Sequence, residues 1–139
     1  MSDEAGGDAQ ASDGRLSAEG DFMLVWGIAA ALVTGLYALG SGLPTVVLLG
    51  TVATVTSLGS VAGDLLRPDF RPSAGLHSIV VLAAAAGALL AFRYDDSLIT
   101  ASGLGVIALA NAGRVFEVDH REDDSLLDPL AEDEEDEAE

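Results

Sequence analysis

The sequence predicts an all-α fold: a four-helix transmembrane bundle with up-down-up-down topology and disordered acidic termini. Half of the 139 residues are apolar, yet the formal net charge is -17. The charge lies at the ends, because residues 1–21 hold six acidic residues and one Arg, and residues 117–139 hold thirteen and one Arg. The segment 22–116 between them is therefore neutral and apolar. This distribution excludes an ordinary soluble domain, and it excludes a nucleic-acid binder, which needs a basic face.

Four stretches of this segment are long enough to cross a bilayer, which takes about 20 mostly apolar residues. The predicted spans cover residues 22–40, 44–63, 74–92 and 97–116. Polar residues do not recur at helical spacing in them, as they do in amphipathic helices of soluble proteins. The connections are short, so neighbouring helices are expected to be antiparallel. Residues 1–21 and 117–139 hold too few apolar residues to fold alone, and both are predicted to be disordered.

The arginines predict the orientation. With up-down-up-down spans, five of the six lie on one side of the membrane: Arg15, Arg67, Arg71, Arg114 and Arg121. Arg93 lies on the other side. Positive charge close to span ends stays cytoplasmic. We therefore expect a multi-pass protein of the cytoplasmic membrane with both termini in the cytoplasm.

The residue types that are missing limit the chemistry. There is no Cys, which excludes disulfides and cysteine metal sites. No catalytic motif is present, and His120 has no second histidine at ligand spacing, so the chain is not expected to be an enzyme or to hold a metal or a cofactor. Lys is also absent, and this acidic, Lys-free composition resembles that of proteins from salt-loving archaea, in which molar salt screens carboxylate repulsion.

Ionisable residues within membrane spans are the first candidates for a functional site. Here they lie near span ends on the predicted inner side, where Asp64, His77, Asn111 and Arg114 could form a polar cluster that includes an Asp64–Arg114 ion pair. The alternative is a set of unrelated helix-end residues, with Arg114 extending to lipid phosphate and Asn111 bonded across helices.

Small residues at spacing four let helix backbones approach closely in lipid. Gly59 and Gly63 form the sharpest such pair and are the candidate helix-packing or dimer face. Similar rows in the other spans favour the alternative that small residues hold the monomer together.

No span carries a charge near mid-depth, where coupled transporters normally need one. By size and number of spans the chain resembles the small multidrug-resistance transporters, but residues 22–40 lack the glutamate that this family carries in its first helix. We therefore expect a structural or accessory membrane component. The alternative is a small oligomeric transporter or channel subunit that uses the hydroxyl-rich face of the second span, on which Thr56, Ser60 and Asp64 lie. The expected partners are the lipid bilayer and either another membrane protein or further copies of the chain.

Overall fold

The computed structural model describes residues 16–40, 42–67 and 69–136, the last sixteen of these as helical backbone only. It contains four helices: α1 (Ala18–Leu39), α2 (Pro44–Leu66), α3 (Ala74–Asp95) and α4 (Leu98–Asp136). The described part of the chain contains no strand. The predicted all-α, four-helix fold is confirmed.

The helices form a ring in which α1 packs against α2 and α4, and α3 packs against the same two helices. The start of α1 contacts the end of α2 through Ser17 and Asp64, and the start of α3 contacts α4 through His77 and Asn111. Neighbouring helices are therefore antiparallel, as predicted. We call the end with these contacts the terminal end, and the opposite end, where α1 joins α2 and α3 joins α4, the hairpin end.

A seam of small and polar residues runs down the inside of every helix. In α1 it consists of Gly20, Met23, Gly27, Ala30, Thr34 and Tyr37. The intervals alternate between three and four residues, and α2, α3 and α4 keep the same alternation. This period of 3.5 is typical of helices that pack along a left-handed supercoil.

Glycines in the seam let the helices approach closely. A Cβ at Gly27 would lie 2.8 Å from Leu58 Cδ2 of α2, and one at Gly87 would lie 3.0 Å from Leu104 Cδ1 of α4. A Cβ at Gly50 would overlap the side chain of Thr34. In lipid the hydrophobic effect contributes little to helix association, so the van der Waals contacts made by this close approach stabilise the bundle instead.

Most of the large apolar side chains point outward, while Met23, Leu104 and Ile107 are buried inside the bundle. Leu32, Leu36, Leu82, Leu109 and Phe116 are all well exposed, and others like them cover all four helices. Soluble monomers rarely expose so continuous an apolar surface. All four helices are long and apolar enough to cross a membrane, α4 over the part Leu98–His120. Small residues inside and large apolar residues outside are what a bilayer requires of a helical bundle.

Two predicted boundaries differ from the structure by more than three residues. α1 begins at Ala18, inside the segment predicted to be disordered, because Ser17 caps it and because Glu19 and Asp21 carry negative charge in its first turn. Residues 1–15 of that segment lie outside the described residues. α4 continues from the predicted end at residue 116 to Asp136, so the described part of 117–139 is helical. Neither glycine nor proline interrupts the chain between Gly113 and Pro129, and Arg114 and Glu117 form an ion pair one turn apart.

Candidate functional site

The most buried polar contact in the bundle joins His77 of α3 to Asn111 of α4. Both side chains are fully buried, and His77 Nδ1 lies 3.0 Å from Asn111 Oδ1. Asn111 Nδ2 donates to the carbonyl of Ile107, which leaves Oδ1 as the acceptor and assigns the proton of the imidazole to Nδ1. His77 Nε2 has no hydrogen-bond partner among the described residues.

Phe22 of α1 connects this pair to Arg114. Its ring meets the His77 ring edge to face at 5.7 Å between centroids, and the Arg114 guanidinium lies 4.8 Å from the Phe22 centroid. Arg114 also forms an ion pair with Glu117 at 2.7 Å. A cation over an aromatic face is stabilised by the ring quadrupole. Phe22 therefore joins α1, α3 and α4 at the terminal end.

Asp64 takes part in a different contact. Its Oδ2 accepts hydrogen bonds from Ser17 N and from Ser17 Oγ, both at 2.8 Å. Ser17 Oγ in turn accepts from Gly20 N at 3.0 Å and so caps α1. Gly20 has no side chain, and a Cβ there would overlap the Asp64 carboxylate. The carboxylate of α2 thus sits at the positive N-terminus of α1, where negative charge is favourable.

The predicted four-residue cluster is therefore divided in two. The structure brings His77 and Asn111 together and places Arg114 next to them through Phe22. The expected Asp64–Arg114 ion pair is not the contact that forms, because Ser17 and Glu117 satisfy the two charges locally. Sequence reasoning missed Ser17, although a serine ahead of Glu19 is a recognisable cap signal.

The predicted glycine pair has a different environment at each residue. Gly59 is exposed, and nothing lies within 4 Å of a Cβ built on it. Gly63 is covered by Phe70, whose ring would lie 2.9 Å from such a Cβ. Neither residue belongs to the seam that packs the monomer. Gly59 is thus free for another helix to approach, while Phe70 covers the neighbouring Gly63.

The hydroxyls of α2 mostly bond to their own helix. Thr51, Thr54 and Ser60 each donate to the carbonyl four residues earlier, at 2.7–2.9 Å. This is the usual way in which a helix satisfies hydroxyls in lipid. Two buried hydroxyls, Ser57 Oγ and Thr34 Oγ1, have no hydrogen-bond partner among the described residues.

A cleft of about 490 Å³ opens between α1 and α4 at the hairpin end. Its polar lining comes from Tyr37, Asp95, Ser97 and Thr100. Tyr37 is fixed, because its Oη accepts from Leu43 N at 3.0 Å. None of these residues was a candidate from the sequence, since they come from two separate stretches of the chain.

The part of the chain that the structure describes contains no group of three His, Cys, Asp or Glu side chains arranged to hold an ion. Comparisons with models of known protein families, with curated proteins and with solved structures found no match for this chain.

Proposed function

We propose that this chain is a non-catalytic, multi-pass component of the cytoplasmic membrane, with both termini in the cytoplasm, that acts by associating with another membrane protein or with further copies of itself. The arginine distribution supports the orientation. The observation that carries the accessory role is a set of helix positions that the monomer leaves unpacked: Gly35, Gly59, Gly105 and Gly113 have nothing within 4 Å of a would-be Cβ. Glycine weakens a helix, and it is useful where a second backbone must approach.

The hydroxyl bonding of α2 also favours this role over transport. A polar path along α2 needs hydroxyls that face the permeating solute. Thr51, Thr54 and Ser60 donate to backbone carbonyls instead. The seam between the helices is filled by side chains, and its charged member, Asp64, is held by Ser17.

Association is tested by purification in mild detergent, followed by identification of bound proteins and by size analysis. We expect a stable partner or an oligomer, and we expect Gly35→Leu and Gly59→Leu to weaken it. Ala85→Leu is the matched control, because it adds the same bulk to an exposed position of α3. A monomer without partners in membranes and in detergent contradicts the proposal, as does equal behaviour of all three variants.

A second candidate, a small oligomeric transporter or channel subunit, is favoured by one observation. Thr34 Oγ1, Ser57 Oγ and His77 Nε2 are buried on three different helices without a partner among the described residues. Such atoms are costly in lipid unless they serve a purpose. Flux through vesicles that contain the purified chain separates the two: transport above that of empty vesicles, lost on Ser57→Ala, supports the second candidate and contradicts the first.

A further inference from the structure

The cleft at the hairpin end has the size and the two-part lining of a small-molecule site. Its volume of about 490 Å³ is within the range of ligand pockets, which is roughly 300–1,000 Å³. Its apolar side chains, which we call the apolar wall, are Val33, Leu36 and Ile99, and the last two are largely exposed at the mouth of the cleft. Its polar side chains, which we call the polar wall, are the carboxylate of Asp95 and the hydroxyls of Tyr37, Ser97 and Thr100. A cleft with both kinds of lining holds a ligand with one polar and one apolar part.

Three of the four polar side chains are held in place by contacts of their own. Tyr37 Oη accepts from Leu43 N at 3.0 Å. Gly42 lies under the Tyr37 ring, where a Cβ would overlap the ring atoms. Ser97 Oγ donates to Thr100 Oγ1 at 3.0 Å, and Thr100 is almost fully buried. A wall fixed before binding loses little entropy when a ligand arrives.

The charge of the cleft selects a cation. Asp95 is the charged residue among those described as lining it. The nearby Arg93 guanidinium lies 5.6 Å from the centroid of the Tyr94 ring, and neither of these residues lines the cleft. The cleft is far larger than a bare metal ion needs, and the side chains of its apolar wall have no atoms that could coordinate one. Both features favour an organic cation.

We propose that this cleft binds an organic ammonium ion, with the charged nitrogen at Asp95 and Tyr37 and the apolar part against Val33, Leu36 and Ile99. The site goes beyond the accessory role and does not depend on it. An ammonium group of this kind occurs both in amino-lipid headgroups and in free organic amines. The chemistry is the same in either case, and the test distinguishes the two sources.

The experiment is a calorimetric titration of the full chain with 2-phenylethylammonium, whose N–H groups can donate to Asp95, in phosphatidylglycerol nanodiscs. We expect saturable binding that Asp95→Asn weakens about tenfold or more, the amount that loss of a charge-assisted contact gives. Asp96→Asn is the matched control, because it removes the neighbouring charge at a residue that does not line the cleft, and asparagine tolerates its left-handed backbone, φ 47°. Its affinity should stay within about twofold of the parent. Ile99→Trp adds bulk to the apolar wall and should also reduce binding without changing the charge.

Repeating the titration in nanodiscs that contain phosphatidylethanolamine identifies the source. A weaker apparent affinity there means that an amino lipid already competes for the cleft. An unchanged affinity means that the site takes free ammonium ions. Absence of saturable binding, or equal affinity of the parent and Asp95→Asn with unchanged unfolding midpoints, overturns the proposal.

Discussion

Replacing Asp64 with alanine tests how the terminal end is held. The change removes the acceptor of two hydrogen bonds from Ser17, at N and at Oγ, both 2.8 Å long. A hydrogen bond to a charged group contributes about 1.5–3 kcal/mol. Ser17 is only half-buried, so water can replace part of the loss, and we expect the free energy of unfolding to fall by about 3 kcal/mol. Asp64→Asn keeps one acceptor oxygen and should cost about half as much.

A double-mutant cycle isolates the contact between the two side chains. Ser17→Ala removes the Oγ donor and leaves the backbone N–H, so the cycle with Asp64→Ala should give a coupling energy of about 1.5 kcal/mol. Unfolding in mixed micelles, followed by the fluorescence of Trp26, the chain's one tryptophan, measures each member. Asp69→Asn is the control for loss of an exposed acid.

A second double-mutant cycle distinguishes the observed Ser17–Asp64 contact from the Asp64–Arg114 ion pair that the sequence suggested. Asp64→Ala combined with Arg114→Ala should show coupling near zero, because Arg114 pairs with Glu117. Strong coupling between Asp64 and Arg114, with none between Asp64 and Ser17, would show that Asp64 pairs with Arg114 and not with Ser17.

Two further predictions concern the interior. Asn111→Leu leaves the buried Nδ1–H of His77 without an acceptor and should lower the free energy of unfolding by about 1–3 kcal/mol in the same assay. The double change His77→Leu with Asn111→Leu should cost less than the sum of the two single changes, because it removes both partners. Gly50→Ala forces Thr34 to shift and should destabilise the bundle by about 1–3 kcal/mol. Gly59→Ala meets nothing within 4 Å and, for unfolding of the monomer, should be neutral or stabilising by up to about 1 kcal/mol. Equal effects of Gly50→Ala and Gly59→Ala on monomer unfolding would contradict the packing of Gly50 against Thr34.

The fold was predictable because span length and charge distribution are properties of the chain itself. Four apolar stretches without a charge near mid-depth, joined by short connections, are enough to specify an antiparallel bundle. The helix ends were less accurate, since Ser17 extends α1 by a local cap that hydropathy does not detect.

The site was predictable only in part, because partners across helices depend on rotation about each helix axis. The structure brings His77 and Asn111 of the candidate cluster together, whereas the Ser17–Asp64 contact needed the register of α1 against α2. Spacing four at Gly59 and Gly63 suggested a packing face, but the observed seam alternates three and four and leaves both residues out. A single spacing does not distinguish a seam from an outer face.

The absence of cysteine makes the arrangement of the helices across the membrane directly measurable. Single cysteines at the exposed positions Tyr94, at the hairpin end, and Asp69, at the terminal end, are treated with a membrane-impermeant maleimide before and after the cells are opened. Because the hairpin end is expected outside the cell and the terminal end inside it, we predict that Tyr94→Cys reacts on intact cells and that Asp69→Cys reacts only after lysis. Labelling of both, or of neither, on intact cells would contradict four helices that cross the bilayer with their termini in the cytoplasm.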